Sequence, residues 1–77
     1  MPFEKFLKTM GANIASLRRG RNFSQKEAAA LADISYRYYQ SIEAGVANLT
    51  LSTVFRLAEF FKVSPHELLC KESAHDR

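Results

Sequence analysis

Apolar residues recur every three or four positions along most of this chain, and nowhere do apolar and polar residues alternate for long. The first pattern belongs to helices with one buried stripe; the second, which strands would need, is missing. Phe3, Phe6, Leu7, Met10, Ile14 and Leu17 form one such stripe and predict a first helix from position 2 or 3 to 19, with Pro2 suited to a first helical position. Gly11 lies inside it. A glycine there costs roughly 1 kcal/mol relative to alanine, so it is expected to mark a bend or a break. Gly20 or Asn22 is expected to close the helix in a left-handed conformation.

Ser24-Gln25-Lys26-Glu27 reads as a capping box, in which the serine oxygen accepts from the Glu27 amide and the glutamate reaches back to the Ser24 amide. It opens a second helix over 25–32, whose inner face is built from Ala28, Ala29 and Ala32. Such small residues let another helix approach closely. Asp33-Ile34-Ser35 makes a short turn, with Ile34 as an apolar plug and Ser35 as the cap of a third helix that ends at Gly45. On this third helix Tyr39 and Ile42 face inward, while Tyr36, Arg37, Gln40 and Ser41 face outward. Residues 46–49 form a loop, Thr50 caps a fourth helix over 51–61, and Ser64-Pro65-His66-Glu67 reads as a second capping box opening a fifth helix that runs to about Cys70. The segment 71–77 is polar and expected to fray. The fold class is therefore all-α, with five helices in one domain over 1–77.

Two short helices joined by a three-residue turn, over about 24–45, are the unit that places its second helix in a DNA major groove. Base edges there present hydrogen-bond donors and acceptors. The outward set Tyr36, Arg37, Gln40 and Ser41 can answer both. Amides at the starts of the second and third helices can meet phosphate.

The runs Leu17-Arg18-Arg19, Phe23-Ser24-Gln25-Lys26-Glu27, Ile34-Ser35, Ile42-Glu43-Ala44-Gly45, Asn48-Leu49-Thr50-Leu51 and Val63-Ser64-Pro65-His66-Glu67-Leu68-Leu69 closely resemble the lambda-repressor-like family, also called Xre or Cro/C1-type helix-turn-helix regulators. The likeness covers about residues 10–70. It implies a five-helix lambda-repressor-like DNA-binding domain, and a sequence-specific transcriptional regulator that binds a palindromic double-stranded operator as a homodimer. Ser24 and Gln25 then stand as phosphate clamps, with Gln25 also near a base. Tyr36, Arg37, Gln40 and Ser41 stand as the base-facing set. Ser35, at the start of the third helix, is a further candidate DNA contact, and Tyr38 either packs on the second helix or lies along the DNA backbone. Arg18 and Glu43 match a buried structural ion pair. Two departures stand out: Ala44 replaces a frequent asparagine, and Val46 and Ala47 replace frequent bases, so side-chain phosphate contacts in that loop are expected to be lost.

Charge and composition refine this picture. Residues 1–37 carry seven bases and three acids, and residues 38–77 four bases and five acids, within a total of +3. A basic half beside a near-neutral half is compatible with a polyanion-binding face. The single cysteine permits no intrachain disulfide and fits a reducing compartment. No apolar run suits a membrane span and no leader pattern is evident, so the chain reads as cytoplasmic. His66 and Cys70 lie four apart on the fifth helix, and this spacing could give half a metal site. No second ligand pair accompanies them, and His75 lies in the tail, so no metal, cofactor or enzymatic role is expected. Phe55 and Phe60 widen the apolar character of the fourth helix beyond one stripe. Together with Leu69 they are expected at a dimer interface; the alternative is that Phe55 or Phe60 packs on the first or fifth helix of the same chain. RNA polymerase is a further candidate partner. An antitoxin that masks a toxin partner is the competing functional class on the same fold.

Overall fold

The computed structural model describes residues 2–69. Cys70, the 71–77 tail and His75 lie outside them. Five helices follow one another: α1 (Phe3–Gly20), α2 (Gln25–Leu31), α3 (Tyr36–Ala44), α4 (Leu51–Phe61) and α5 (Pro65–Leu69). No strand occurs among the described residues.

Local chemistry sets the helix starts. The Glu27 amide donates to Ser24 Oγ at 3.0 Å, and the Ser24 amide donates to Glu27 Oε1 at 2.8 Å. Ser35 Oγ accepts from the Tyr38 amide, and Thr50 Oγ1 from the Thr53 amide, each at 3.1 Å. At α5 the Glu67 amide donates to the Ser64 backbone carbonyl at 3.0 Å. Each bond satisfies an amide that the helix itself leaves unpaired.

The ends share one device. After each of α1 to α4 a residue turns left-handed: Asn22 (φ 62°), Asp33 (φ 61°), Gly45 (φ 77°) and Lys62 (φ 58°). Each time, that residue's amide and the next one's fold back onto carbonyls of the last turn, as in Asn22 to Arg19 and Phe23 to Arg18. Asn22, not Gly20, therefore closes α1. Asp33 tolerates the left-handed region better than most residues, whereas Lys62 meets the full steric cost between Cβ and carbonyl.

α1 packs on α3 and α5, α2 on α3, and α4 on α5. Tyr39, Phe61, Ile14, Ile42, Leu57 and Leu68 fill the centre and are fully buried. Fully burying a side chain of this size stabilises by about 1.5–3 kcal/mol. Ala28, Ala29 and Ala32 are also buried, as their small size requires where α2 meets α3. Phe3, the first residue of the predicted stripe, lies beyond the edge of this core and is exposed.

Gly11 has a role that its helix propensity does not reveal. α1 runs through it without a break. A Cβ at this position would lie 2.5 Å from the Ile42 carbonyl oxygen and 2.7 Å from that of Glu43. Gly11 is therefore the notch that lets α1 rest on the end of α3. Gly45 faces it from the other side: its missing Cβ would meet the Lys8 backbone at 2.7 Å.

Candidate nucleic-acid interface

The α2–turn–α3 unit is held from three directions. Within the turn, the Ile34 amide donates to the Ala29 carbonyl at 2.9 Å, and the Ile34 side chain is half-buried against the core. From α4, an Arg56 guanidinium N–H donates to the Asp33 carbonyl at 3.0 Å. From α1, Arg18 grips the last turn of α3. Its Nε donates to Glu43 Oε2 at 2.8 Å, one terminal nitrogen donates to Glu43 Oε1 at 3.2 Å, and the other donates to the Phe23 carbonyl at 2.8 Å. The Arg18 and Glu43 side chains are 15% and 6% exposed. The expected structural ion pair is present in two-pronged form, and it also ties down the α1–α2 connection.

This cluster has a third member. Gln25 Nε2 donates to Glu43 Oε1 at 2.9 Å, linking the first residue of α2 to the last turn of α3. Burial alone would raise the Glu43 carboxyl. The bond from Arg18, the neighbouring Tyr39 hydroxyl, the bond from Gln25 and the Arg18 charge outweigh burial and hold it below the usual glutamate value. The Tyr39 hydroxyl is buried beside the pair without a hydrogen bond of good geometry, and burial pushes its pKa well above the usual tyrosine range.

The predicted contact residues fall into two groups. Tyr36 (43% exposed), Arg37 and Gln40 open to solvent on one side of α3. Ser24 and Ser35 are exposed too, but their hydroxyl oxygens already accept the capping amides described above. The others are engaged inside the fold. Ser41 is half-buried and its hydroxyl donates to the Arg37 carbonyl at 3.2 Å, so it stands less free than its outward assignment implies. Tyr38 packs against the core rim, and its hydroxyl donates to the Asn48 carbonyl at 2.9 Å, bracing the loop after α3. Gln25 is half-buried and bound to Glu43. The Gln25–Glu43 and Arg56–Asp33 links have no local sequence signal, because each joins positions on separate helices or turns.

The proposed self-association residues also separate. Phe55 is 59% exposed and Leu69 38%; Leu51, one turn before Phe55 on α4 and 86% exposed, lines a shared groove with Leu69. Phe60 behaves differently: its ring packs 5.6 Å from Phe23 and 4.8 Å from Phe61, on the α1–α2 connection and within its own helix. Part of its apolar area is thus consumed inside the chain, against Phe23 and the buried core.

No helix among the described residues is long and apolar enough to cross a membrane. Among those residues no three His, Cys, Asp or Glu side chains gather as for a metal ion; His66 is exposed and Cys70 lies beyond them.

A small helical scaffold that fixes two short helices across a tight turn and leaves the second one's polar face open defines a helix-turn-helix DNA-binding regulator. The chain belongs to the HTH_3 helix-turn-helix family, of the Xre, Cro/C1 type, whose model matches residues 14–68. It is 39% identical over 62 residues to the uncharacterized HTH-type transcriptional regulator y4dJ of Sinorhizobium fredii, a match covering 80% of each chain. It resembles the structure of the restriction-modification controller protein C.AhdI from Aeromonas hydrophila, at 29% identity and a TM-score of 0.77, over 80% of this chain and 94% of that one. An HTH_3 family transcriptional regulator from Vibrio cholerae shares the fold at 21% identity, with a TM-score of 0.84 over 94% of this chain and 40% of that one.

Proposed function

We propose that the protein is a cytoplasmic, sequence-specific transcriptional regulator that binds a palindromic double-stranded DNA operator as a homodimer. One observation carries this reading. α3 is locked to α1 through Arg18 and Glu43 on one side, while Tyr36, Arg37 and Gln40 remain exposed on the other. A rigid helix with a free donor-and-acceptor face is what major-groove readout requires. Arg37 can present two parallel donors to a guanine edge, Gln40 a donor and acceptor to adenine, and Tyr36 its hydroxyl. Ser24 and Ser35 flank this face beside the DNA backbone, while Ser41 and Tyr38, the latter braced on the Asn48 carbonyl, support it from within the fold. Resemblance to a controller protein supports the regulatory role. The exposed Leu51, Phe55 and Leu69 support pairing of two copies, since contiguous apolar surface on a small domain marks an interaction face.

Selection from random duplexes, followed by footprinting and fluorescence anisotropy, tests the reading. The expected result is a preferred site with two half-sites about 34 Å apart or a multiple of that spacing, bound with a steep salt dependence. Equal affinity for the selected and a scrambled duplex at moderate salt would reject it. Phe55→Glu is expected to shift sedimentation toward the monomer and to weaken operator binding while the helices stay folded.

A further inference from the structure

We propose that Gln25 reads an adenine in the major groove, with its side-chain carbonyl accepting from the base amino group, rather than clamping a phosphate. The proposal rests on the DNA-binding reading above and assigns one more residue to specificity. Gln25 stands at the first position of α2, half-buried, with Nε2 donating to Glu43 Oε1 at 2.9 Å. Rotated by half a turn, the amide would set its carbonyl oxygen against a carboxylate, two acceptors with no proton between them. Glu43 cannot swing aside, because Arg18 holds both its oxygens at 2.8 and 3.2 Å. A charge pair built from α1 and α3 therefore fixes the orientation of an amide on α2.

That orientation decides what Gln25 has left to offer. One N–H is committed to Glu43, so the carbonyl oxygen and the second N–H remain. Donation to an anion polarises the amide, which strengthens its carbonyl as an acceptor and weakens its remaining donor. A phosphate only accepts, so it would meet the weakened donor and leave the strengthened acceptor idle. It would also bring a second anion toward Glu43. Adenine offers the complementary pair in the major groove: its N6 amino group donates and its N7 accepts. Gln25 matches that edge with both of its remaining groups.

The test uses the full chain and the duplex it selects. Each adenine of that duplex is replaced in turn by purine, which lacks the N6 amino group, and affinities are measured for the wild type and Gln25→Ala. The expected result is one symmetric pair of positions at which the replacement weakens the wild type about tenfold or more and leaves Gln25→Ala unchanged. Gln25→Lys retains a partner for Glu43 but cannot accept, and is expected to lose the same preference. Circular dichroism melts establish that both variants fold. Uniform weakening of every duplex by Gln25→Ala with the wild-type preferences intact would overturn the proposal, as would tighter binding of every duplex by Gln25→Lys with preferences intact; both are marks of a phosphate contact. A wild type that selects no duplex would overturn the DNA-binding reading as well, so the two failures are distinguishable.

Discussion

Along α3 the inward face carries Tyr39, Ile42 and Glu43, and the outward face carries Tyr36, Arg37 and Gln40. Tyr39 and Ile42 are fully buried, and the Glu43 carboxylate is held from two other helices. The outward three are exposed. Nine residues of helix thus carry two separable jobs, anchoring and recognition, divided by angle around the axis rather than by position along it. A substitution should then damage one job and spare the other.

Glu43→Ala breaks the comparison hardest on the inward side. It strands a largely buried guanidinium, which costs about 3–5 kcal/mol, read as a lower urea midpoint. The same residue predicts a pH dependence. Its folded pKa lies below the ordinary glutamate value, so its contribution is complete above that value and is lost as the pH falls through the depressed pKa. Stability of the wild type should fall on the acid side more steeply than that of Glu43→Ala. Gly11→Ala comes next. Its new methyl group would press on two backbone carbonyls that cannot rotate away, and forcing α1 and α3 apart is expected to cost about 2–3 kcal/mol in a thermal or urea melt.

Arg37→Ala probes the outward side. Operator affinity should drop by about 1–3 kcal/mol in anisotropy titrations, with the melting midpoint unchanged. A fall in the midpoint would show that the two faces are not independent. Lys62→Gly is the smallest change and touches neither face. It relieves a left-handed lysine at the close of α4 and should raise stability by about 0.5–1 kcal/mol, leaving DNA affinity as it was.

Much of this frame is legible in the residues because its causes are local. Ser24, Ser35 and Thr50 announce helix starts through bonds that reach only three residues, and Tyr39 declares its burial by its place in the helical period. The Arg18–Glu43 pair becomes legible through the family resemblance, since no local rule joins positions 25 residues apart. Three features stay hidden for the same reason. Gly11 reads as a weakness within α1 until the carbonyls of α3 are placed against it. Gln25 reads as a free amide until Glu43 arrives beside it. Phe60 reads as spare apolar surface until Phe23, from a different connection, covers it. Asp33 and Lys62 are hidden more locally: a left-handed residue other than glycine leaves little trace in composition.

The division of α3 has an evolutionary consequence. Because Tyr36, Arg37 and Gln40 are exposed and lie outside the buried core, mutations there can explore new operator sequences without first being rescued by stabilising changes elsewhere. Descendants of such a chain could diverge in which genes they control while their interiors drift far more slowly. For the same reason, outward residues grafted from another regulator of this family onto the Gly11 and Arg18–Glu43 frame should arrive in a helix already set at the right angle to be read against DNA.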